Sequence, residues 1–327
     1  MRLIIFLFSL CLSPFSWGDT AIIAHRGASA YLPEHTLEAA ILAHGMNAHY
    51  IEQDLVLSAD GIPVVLHDIH LDTITNVESV FPDRHRDDGR YYVIDFTLAE
   101  LQELRVHERQ TTDGQQVYPR RYPGQSPYRI ATFEQHIQLI QGLNMRRDKA
   151  IGLYPEIKAP KFHQTEGQDI SAIVVELLKK YDLNHPEANL YVQCFDFKEV
   201  KRLRTELGLK APLVQLIGEN DWQESGTDYE WLKTADGLVE VARYADGIGP
   251  WYHQLVNIEN GQLSTTELAR LAHQQGLLVH TYTLRADQLP EDVSFTQLSD
   301  YLIDTLGVDG IFTDFPDRLV IHQKPGR

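Results

Sequence analysis

Eight short β-type runs recur along the chain, at residues 21–24, 50–54, 152–157, 190–195, 212–217, 247–250, 277–283 and 310–313. Segments with apolar residues three and four apart lie between them, for example at 35–43, 170–180, 198–207 and 265–275, which is the period of a helix with one buried face. Strands that alternate with helices pair in parallel, because every crossover brings the chain back to the same end of the sheet. Eight such units predict a closed α/β structure, a (β/α)8 barrel in which each strand's C-terminal end feeds a loop at one common mouth. A chain of 327 residues suits one domain of that type.

One further run, 64–67, follows 55–57 after too few residues for a parallel crossover. It must fold back antiparallel about Asp60-Gly61, a strong hairpin turn, and that brings His67 roughly level with Asp54. From about 69 to 131 the periodicity fades into charge, Pro, Gly and Tyr, so this stretch reads as an inserted small subdomain near the active mouth. Its charge runs, 83–88 and 120–124, read as solvated faces.

The N-terminus has the layout of a secretory signal peptide: Arg2, an apolar run over 3–12, then small or turn-forming residues to Gly18. Cleavage between Gly18 and Asp19 leaves a mature domain of 19–327 in the periplasm or outside the cell, and removes Cys11. Cys194 then stands alone, so no internal disulfide forms and stability rests on the core. The formal net charge of −17, one unit more negative after Arg2 is lost, makes nucleic acid and anionic membrane surfaces poor partners. An acidic chain binds a phosphodiester only where a metal ion and a few local cations reverse the sign inside a pocket.

Strand-end residues supply such a pocket. His25 and Arg26 leave the first strand with Gly27 behind them, and Glu52 and Asp54, two residues apart, share one face of the second. Glu156 and Lys158 do the same on the strand at 152–157. Acids on a core-facing side are costly without a cation. Glu52, Asp54 and Glu156 together suit a hard divalent ion with oxygen ligands, Ca2+ or Mg2+, and no cysteine cluster or His-x-x-x-His points to zinc. His25 and His67 supply groups that titrate near neutrality, and Arg26 and Lys158 supply fixed positive charge for a phosphate. This is the equipment of phosphodiester cleavage: one imidazole accepts a proton from the nucleophile, the other donates one to the leaving alkoxide. Phe195, Trp251 and Tyr282 are candidates for an apolar wall, Gln193 for a hydrogen bond to a pocket group, and Glu34 or Asp68 for orienting a histidine.

The chain resembles the glycerophosphodiester phosphodiesterase family, its periplasmic type in particular. The resemblance rests on His25-Arg26-Gly27, Pro33-Glu34-His35-Thr36, Glu52-Gln53-Asp54, His67-Asp68, Pro155-Glu156-Ile157-Lys158, Gln193-Cys194-Phe195-Asp196 and Thr313-Asp314-Phe315-Pro316, in family order along almost the whole mature chain. It implies a TIM barrel with a small inserted subdomain, metal ligands Glu52, Asp54 and Glu156, catalytic His25 and His67, and Ca2+ as the expected ion. It also implies hydrolysis of glycerophosphodiesters such as glycerophosphocholine and glycerophosphoethanolamine to sn-glycerol 3-phosphate and an alcohol. Where family members commonly carry Trp before Thr, this chain has Tyr282-Thr283. A lipid-cleaving phosphodiesterase of phospholipase D or phosphatidylinositol type, or a surface binding protein on the same barrel, are the competing readings. The first wants a basic or apolar rim, which the acidic balance opposes. The expected partner is a small-molecule substrate with no stable membrane insertion, and a homodimer is permitted but not required by the sequence. A glycerol 2-hydroxyl held beside phosphorus favours internal attack through a cyclic phosphate, with water as the rival nucleophile.

Overall fold

The structure, a computed structural model, describes residues 20–124 and 127–322. The expected signal peptide therefore lies outside the described residues. Strands β1 (Ala21–Ala24), β2 (Tyr50–Leu57), β3 (Pro63–Val65), β4 (Gly152–Ile157), β5 (Val192–Cys194), β6 (Leu213–Ile217), β7 (Gly247–Pro250), β8 (Val256–Glu259), β9 (Gln262–Thr265), β10 (Leu278–Leu284) and β11 (Gly310–Thr313) form two sheets. Eight of them, β1, β2, β4, β5, β6, β7, β10 and β11, pair in parallel with their neighbours, and β1 pairs with both β2 and β11, which closes the barrel. All eight runs expected from the sequence are barrel strands.

Two apolar layers hold the closure. Outward-facing residues such as Ile22, Ile51, Leu55, Leu153 and Ile311 pack with helices that include Phe133–Asn144, Ile170–Lys180 and Phe197–Thr205. Inside the barrel Ile23, Tyr154, Val214 and Phe312 form a separate cluster, with Tyr50, Tyr191 and Tyr282 against it. The aromatic filling leaves no room at some positions. A Cβ on Gly152 would lie 2.4 Å from the Tyr50 ring, so glycine there is a packing requirement. Cys194 is buried in the outer core layer and acts as a small hydrophobe.

β3 pairs antiparallel with β2, Leu55 opposite Val65 and Leu57 opposite Pro63, so the hairpin forms as expected but Asp54 faces Leu66, one residue from the expected His67, because the chain turns through 58–62 and not through Asp60-Gly61 alone. The stretch that follows it has its own core, in which Leu71, Ile74, Val77, Val93, Phe96, Leu101 and Val106 pack on Val56, Val64 and Leu66 of the hairpin. Its periodicity is weak because its helices are only one turn long, Val77–Val80 and Leu98–Leu101. The charge run at 83–88 is largely exposed, whereas Arg121 of the other run is buried to 7% and ion-paired, so the solvated reading fails at that residue.

Two helix starts differ from expectation for identifiable reasons. His35 has a φ of 63° and cannot belong to a helix, and Thr36 caps Leu37–Gly45 by accepting from the Ala39 amide. The segment expected to start at 265 begins at Leu268, because 256–265 forms the β8–β9 hairpin around Asn260 and Gly261, both at positive φ. Asn-Gly is the favoured pair for such a turn.

Candidate active site

Eleven of the thirteen residues singled out in the sequence line one cavity of about 310 Å3 at the C-terminal mouth of the barrel: His25, Arg26, Glu52, Asp54, His67, Glu156, Lys158, Gln193, Phe195, Trp251 and Tyr282; Glu34 and Asp68 stand behind it. The register explains the convergence. Asp54 is level with Glu156 across β2 and β4, and Glu156 is level with Gln193 of β5. Parallel strands in register with inward side chains thus bring three polar groups side by side.

Beyond β1 the chain turns sharply through Arg26 (φ 59°) and Gly27 (φ 80°). A Cβ at Gly27 would lie 2.8 Å from the Ala39 carbonyl carbon, so only glycine fits. The turn aims the Arg26 amide at Glu52, whose Oε2 accepts from it at 2.6 Å. Strain of this kind in a non-glycine residue persists where the surroundings over-determine it.

Glu52, Asp54 and Glu156 are buried to 2%, 1% and 6% exposure. Burial, and then Asp54, raise the Glu52 carboxyl well above its ordinary range, and burial and the Asp54 charge raise Glu156 although Lys158 opposes them. Burial works against the Asp54 anion as well, but the charges of His67 and Lys158 and a hydrogen bond from His35 hold it low. Asp54 Oδ1 is buried with no hydrogen-bond partner. Acids that repel one another so strongly, with an acceptor left over, fit a divalent cation chemically. Ligand atoms of His35, Glu52 and Asp54 all lie within 4.8 Å of one another, which adds a nitrogen donor that the sequence reading did not assign. Glu156 here is engaged by Lys158 at 2.9 Å.

Both histidines are oriented by carboxylates. His25 Nδ1 lies 2.6 Å from Asp314 Oδ1, and His67 Nδ1 lies 2.5 Å from Asp68 Oδ1. The network assigns the proton to Nδ1 in each ring and leaves Nε2 as the basic atom. Burial first, then the Arg26 charge, lowers His25 to about 3, and the same causes together with Lys158 lower His67 to about 4. The His67 side chain keeps 28% of its surface exposed, so the desolvation acting on it is partial. Lys158 Nζ is 3.4 Å from His67 Nε2, close enough for the ammonium to donate to the neutral ring.

Asp68 therefore takes the orienting role expected of it, whereas Glu34 does not touch a histidine. It binds the guanidinium of Arg26 at 3.0 and 3.1 Å and that of Arg109 at 2.6 and 3.1 Å. Gln193 is buried with its Oε1 unpartnered beside the cavity. Phe195, 6.0 Å from the Tyr282 ring, carries Lys158 Nζ 5.6 Å from its centroid, and Trp251 extends the same wall to Trp222. Asp314, Arg109, Arg121, Arg285 and Trp222 went unassigned in the sequence. Asp314 directly follows β11 and Arg285 directly follows β10, the position at which polar residues reach a barrel's active mouth, so these two carried a readable signal.

A barrel with buried acids, carboxylate-held imidazoles and fixed cations at this mouth belongs to an enzyme that acts on an anionic ester. Comparison with known proteins narrows the class. The sequence profile of the Glycerophosphoryl diester phosphodiesterase family matches residues 25–318. The Glycerophosphodiester phosphodiesterase of Haemophilus influenzae is 47% identical over 94% of this chain and 90% of its own length, and that of Treponema pallidum is 36% identical over 94% and 93%. The chain belongs to the glycerophosphoryl diester phosphodiesterase family. Among solved structures, one from Silicibacter pomeroyi attributed to the same enzyme class has a TM-score of 0.71 at 25% identity, over 93% of this chain and 95% of that one. An Oleispira antarctica phosphodiesterase, solved in complex with the product sn-glycerol-3-phosphate, shares the fold with a TM-score of 0.61 at 21% identity, over 92% and 95% of the two chains.

Proposed function

We propose that the protein hydrolyses small glycerophosphodiesters to sn-glycerol 3-phosphate and an alcohol, with His25 and His67 as the proton-transfer pair. The observation that carries this is the duplicated carboxylate–imidazole arrangement, His25–Asp314 and His67–Asp68, at one cavity beside Glu52, Asp54 and Glu156. In the free site burial and the Arg26 charge favour the neutral form of each imidazole, so either Nε2 is competent as a base, and protonation by the nucleophile converts that ring to an imidazolium stabilised by its carboxylate. The second ring serves the departing alkoxide as the imidazolium, with a proton on Nε2 as well as Nδ1, a form that its carboxylate and the bound phosphodiester anion favour; His67 lies beside Lys158, a cation that promotes release of that proton. Arg26 and Lys158 hold the phosphate charge, while Phe195, Trp251 and Tyr282 shield the ester from water and contact its carbons.

Glu52, Asp54 and Glu156 hold the divalent cation in this reading, with His35 at hydrogen-bond distance, 2.7 Å, from Asp54. An all-carboxylate set of this kind favours Ca2+ and also admits Mg2+. When bound, the ion supplies Lewis acidity toward a phosphoryl oxygen and lowers the pKa of a coordinated hydroxyl. The N-terminal apolar run supports export, so the periplasm or the cell exterior is where the reaction takes place. Among the described residues no helix is long and apolar enough to cross a membrane. Phosphorus NMR of a glycerophosphocholine digest tests the proposal: the phosphorus signal should move to glycerol phosphate. Release of phosphocholine, or an unchanged spectrum, would contradict it.

A further inference from the structure

The inserted subdomain looks like a cap, but two of its side chains reach the acids that hold the cavity's histidines. Arg121 is buried to 7% and sits between two acids, with Nη2 2.7 Å from Asp314 Oδ2 and Nε 2.9 Å from Asp287 Oδ2. Its guanidinium also lies 3.6 Å from the Tyr118 ring centroid, within the same insertion. Arg109 donates from Nη1 to Asp68 Oδ2 at 2.5 Å and from Nη2 to Glu34 Oε1 at 2.6 Å. Asp314 and Asp68 are the carboxylates that orient His25 and His67. Each acid thus has one oxygen on its histidine and the other on an arginine from the insertion, an oxygen that Arg285 shares on Asp314 and Thr73 shares on Asp68. Glu34 links the second arginine on to Arg26.

We infer that the inserted subdomain is a structural part of the catalytic apparatus: Arg121 and Arg109 are positioning residues that lock Asp314 and Asp68, and through them fix the rings of His25 and His67. The inference rests on the two-histidine reading given above. A carboxylate with one free oxygen can rotate about its terminal torsion, which has broad, shallow wells. One guanidinium N–H on that oxygen removes the freedom, because the same guanidinium is itself fixed by two-pronged contacts, Arg121 on Asp287 and Arg109 on Glu34. Truncating the insertion therefore loosens the proton-transfer pair instead of only changing access.

The test is a double-mutant cycle on turnover of glycerophosphocholine by the cation-loaded, full-length protein. Arg121→Met, and separately Asp287→Asn, remove or loosen the clamp while Arg285 Nε stays 2.9 Å from Asp314 Oδ2, so that acid keeps a cationic partner. Each should lower kcat by about 10-fold, as losses of such supporting partners do, with KM within about 2-fold. In a His25→Ala background the same substitutions should change kcat by less than about 2-fold, because the ring through which they act is gone. Arg109→Met should behave in the same way against His67→Ala. A loss of equal size in both backgrounds, or a lowered melting temperature with kcat unchanged, would overturn the inference. A normal rate in His25→Ala alone would instead overturn the two-histidine reading, so the two failures are told apart.

Discussion

Glu52→Gln in the absence and presence of Ca2+ separates a metal centre from a buried salt-bridge cluster by the sign of its effects. Glu52 is 2% exposed, its carboxyl is raised first by burial and then by Asp54, and its Oε2 accepts from the Arg26 amide. Glutamine keeps the shape and an acceptor oxygen, and it removes the charge that repels Asp54 and Glu156. Without cation, the variant is expected to melt as high as wild type or about 1–2 °C above it, since relieving uncompensated buried charge is neutral or favourable. With Ca2+ the order reverses. A ligand at about 100 times its Kd stabilises the native state by about 2.7 kcal/mol. Unfolding entropy of about 2.1 cal/mol/K per residue gives roughly 0.65 kcal/mol/K for a chain of this size, so wild type should gain about 4 °C. The variant, short of one ligand, should gain under about 1 °C at the same concentration. Calorimetry in chelator and in excess Ca2+ reads all four values. An equal gain in variant and wild type, or no gain in wild type with either Ca2+ or Mg2+, would refute the reasoning.

Other outcomes follow from the same geometry. His25→Ala and His67→Ala should each lower kcat by about 10²-fold or more with melting temperatures near that of wild type, and near-normal turnover would remove the residue from the mechanism. A substrate analogue lacking the glycerol 2-hydroxyl should bind and resist cleavage if attack is internal, and an undiminished rate would establish water as the nucleophile. Arg109 and Arg26 hold Glu34, His67 and Arg109 hold Asp68, and Arg285 and His25 hold Asp314, each carboxyl below its usual range although burial pushes all three the other way. Groups with depressed native pKa values stabilise the fold above the ordinary carboxylate range, and the contribution is lost as pH falls. In chelator, the melting temperature should therefore drop between about pH 5 and about pH 3, and a flat profile would contradict the ion-pair assignments.

The parts of the site that were legible in the sequence are those where chemistry conflicts with position. Glu52 and Asp54 stand out because acids on the inward face of an apolar strand need a cation, and His67 because the Asp60-Gly61 signal folds its run back beside β2, within one residue of the observed register. The eight strands were legible because both faces of a parallel barrel strand are buried. Arg109 and Arg121 were not. They come from a segment whose core is assembled from single turns, and a buried arginine reads like a solvated one until its acids, 75 and 166 residues away for Glu34 and Asp287, are placed beside it. His35 was hidden for a local reason: its positive φ breaks the helical period that the residues after it set up.

The measurement closest to the central claim is the turnover of glycerophosphocholine by purified protein, first in excess chelator with metal content shown to be zero, then with Ca2+ restored. Three buried carboxylates that repel one another, raise two of their number and leave Asp54 Oδ1 unpartnered call for a cation at the reacting centre. The account predicts that sn-glycerol 3-phosphate formation falls to background in chelator and returns in full on addition of Ca2+. Undiminished release in the metal-free protein would contradict it.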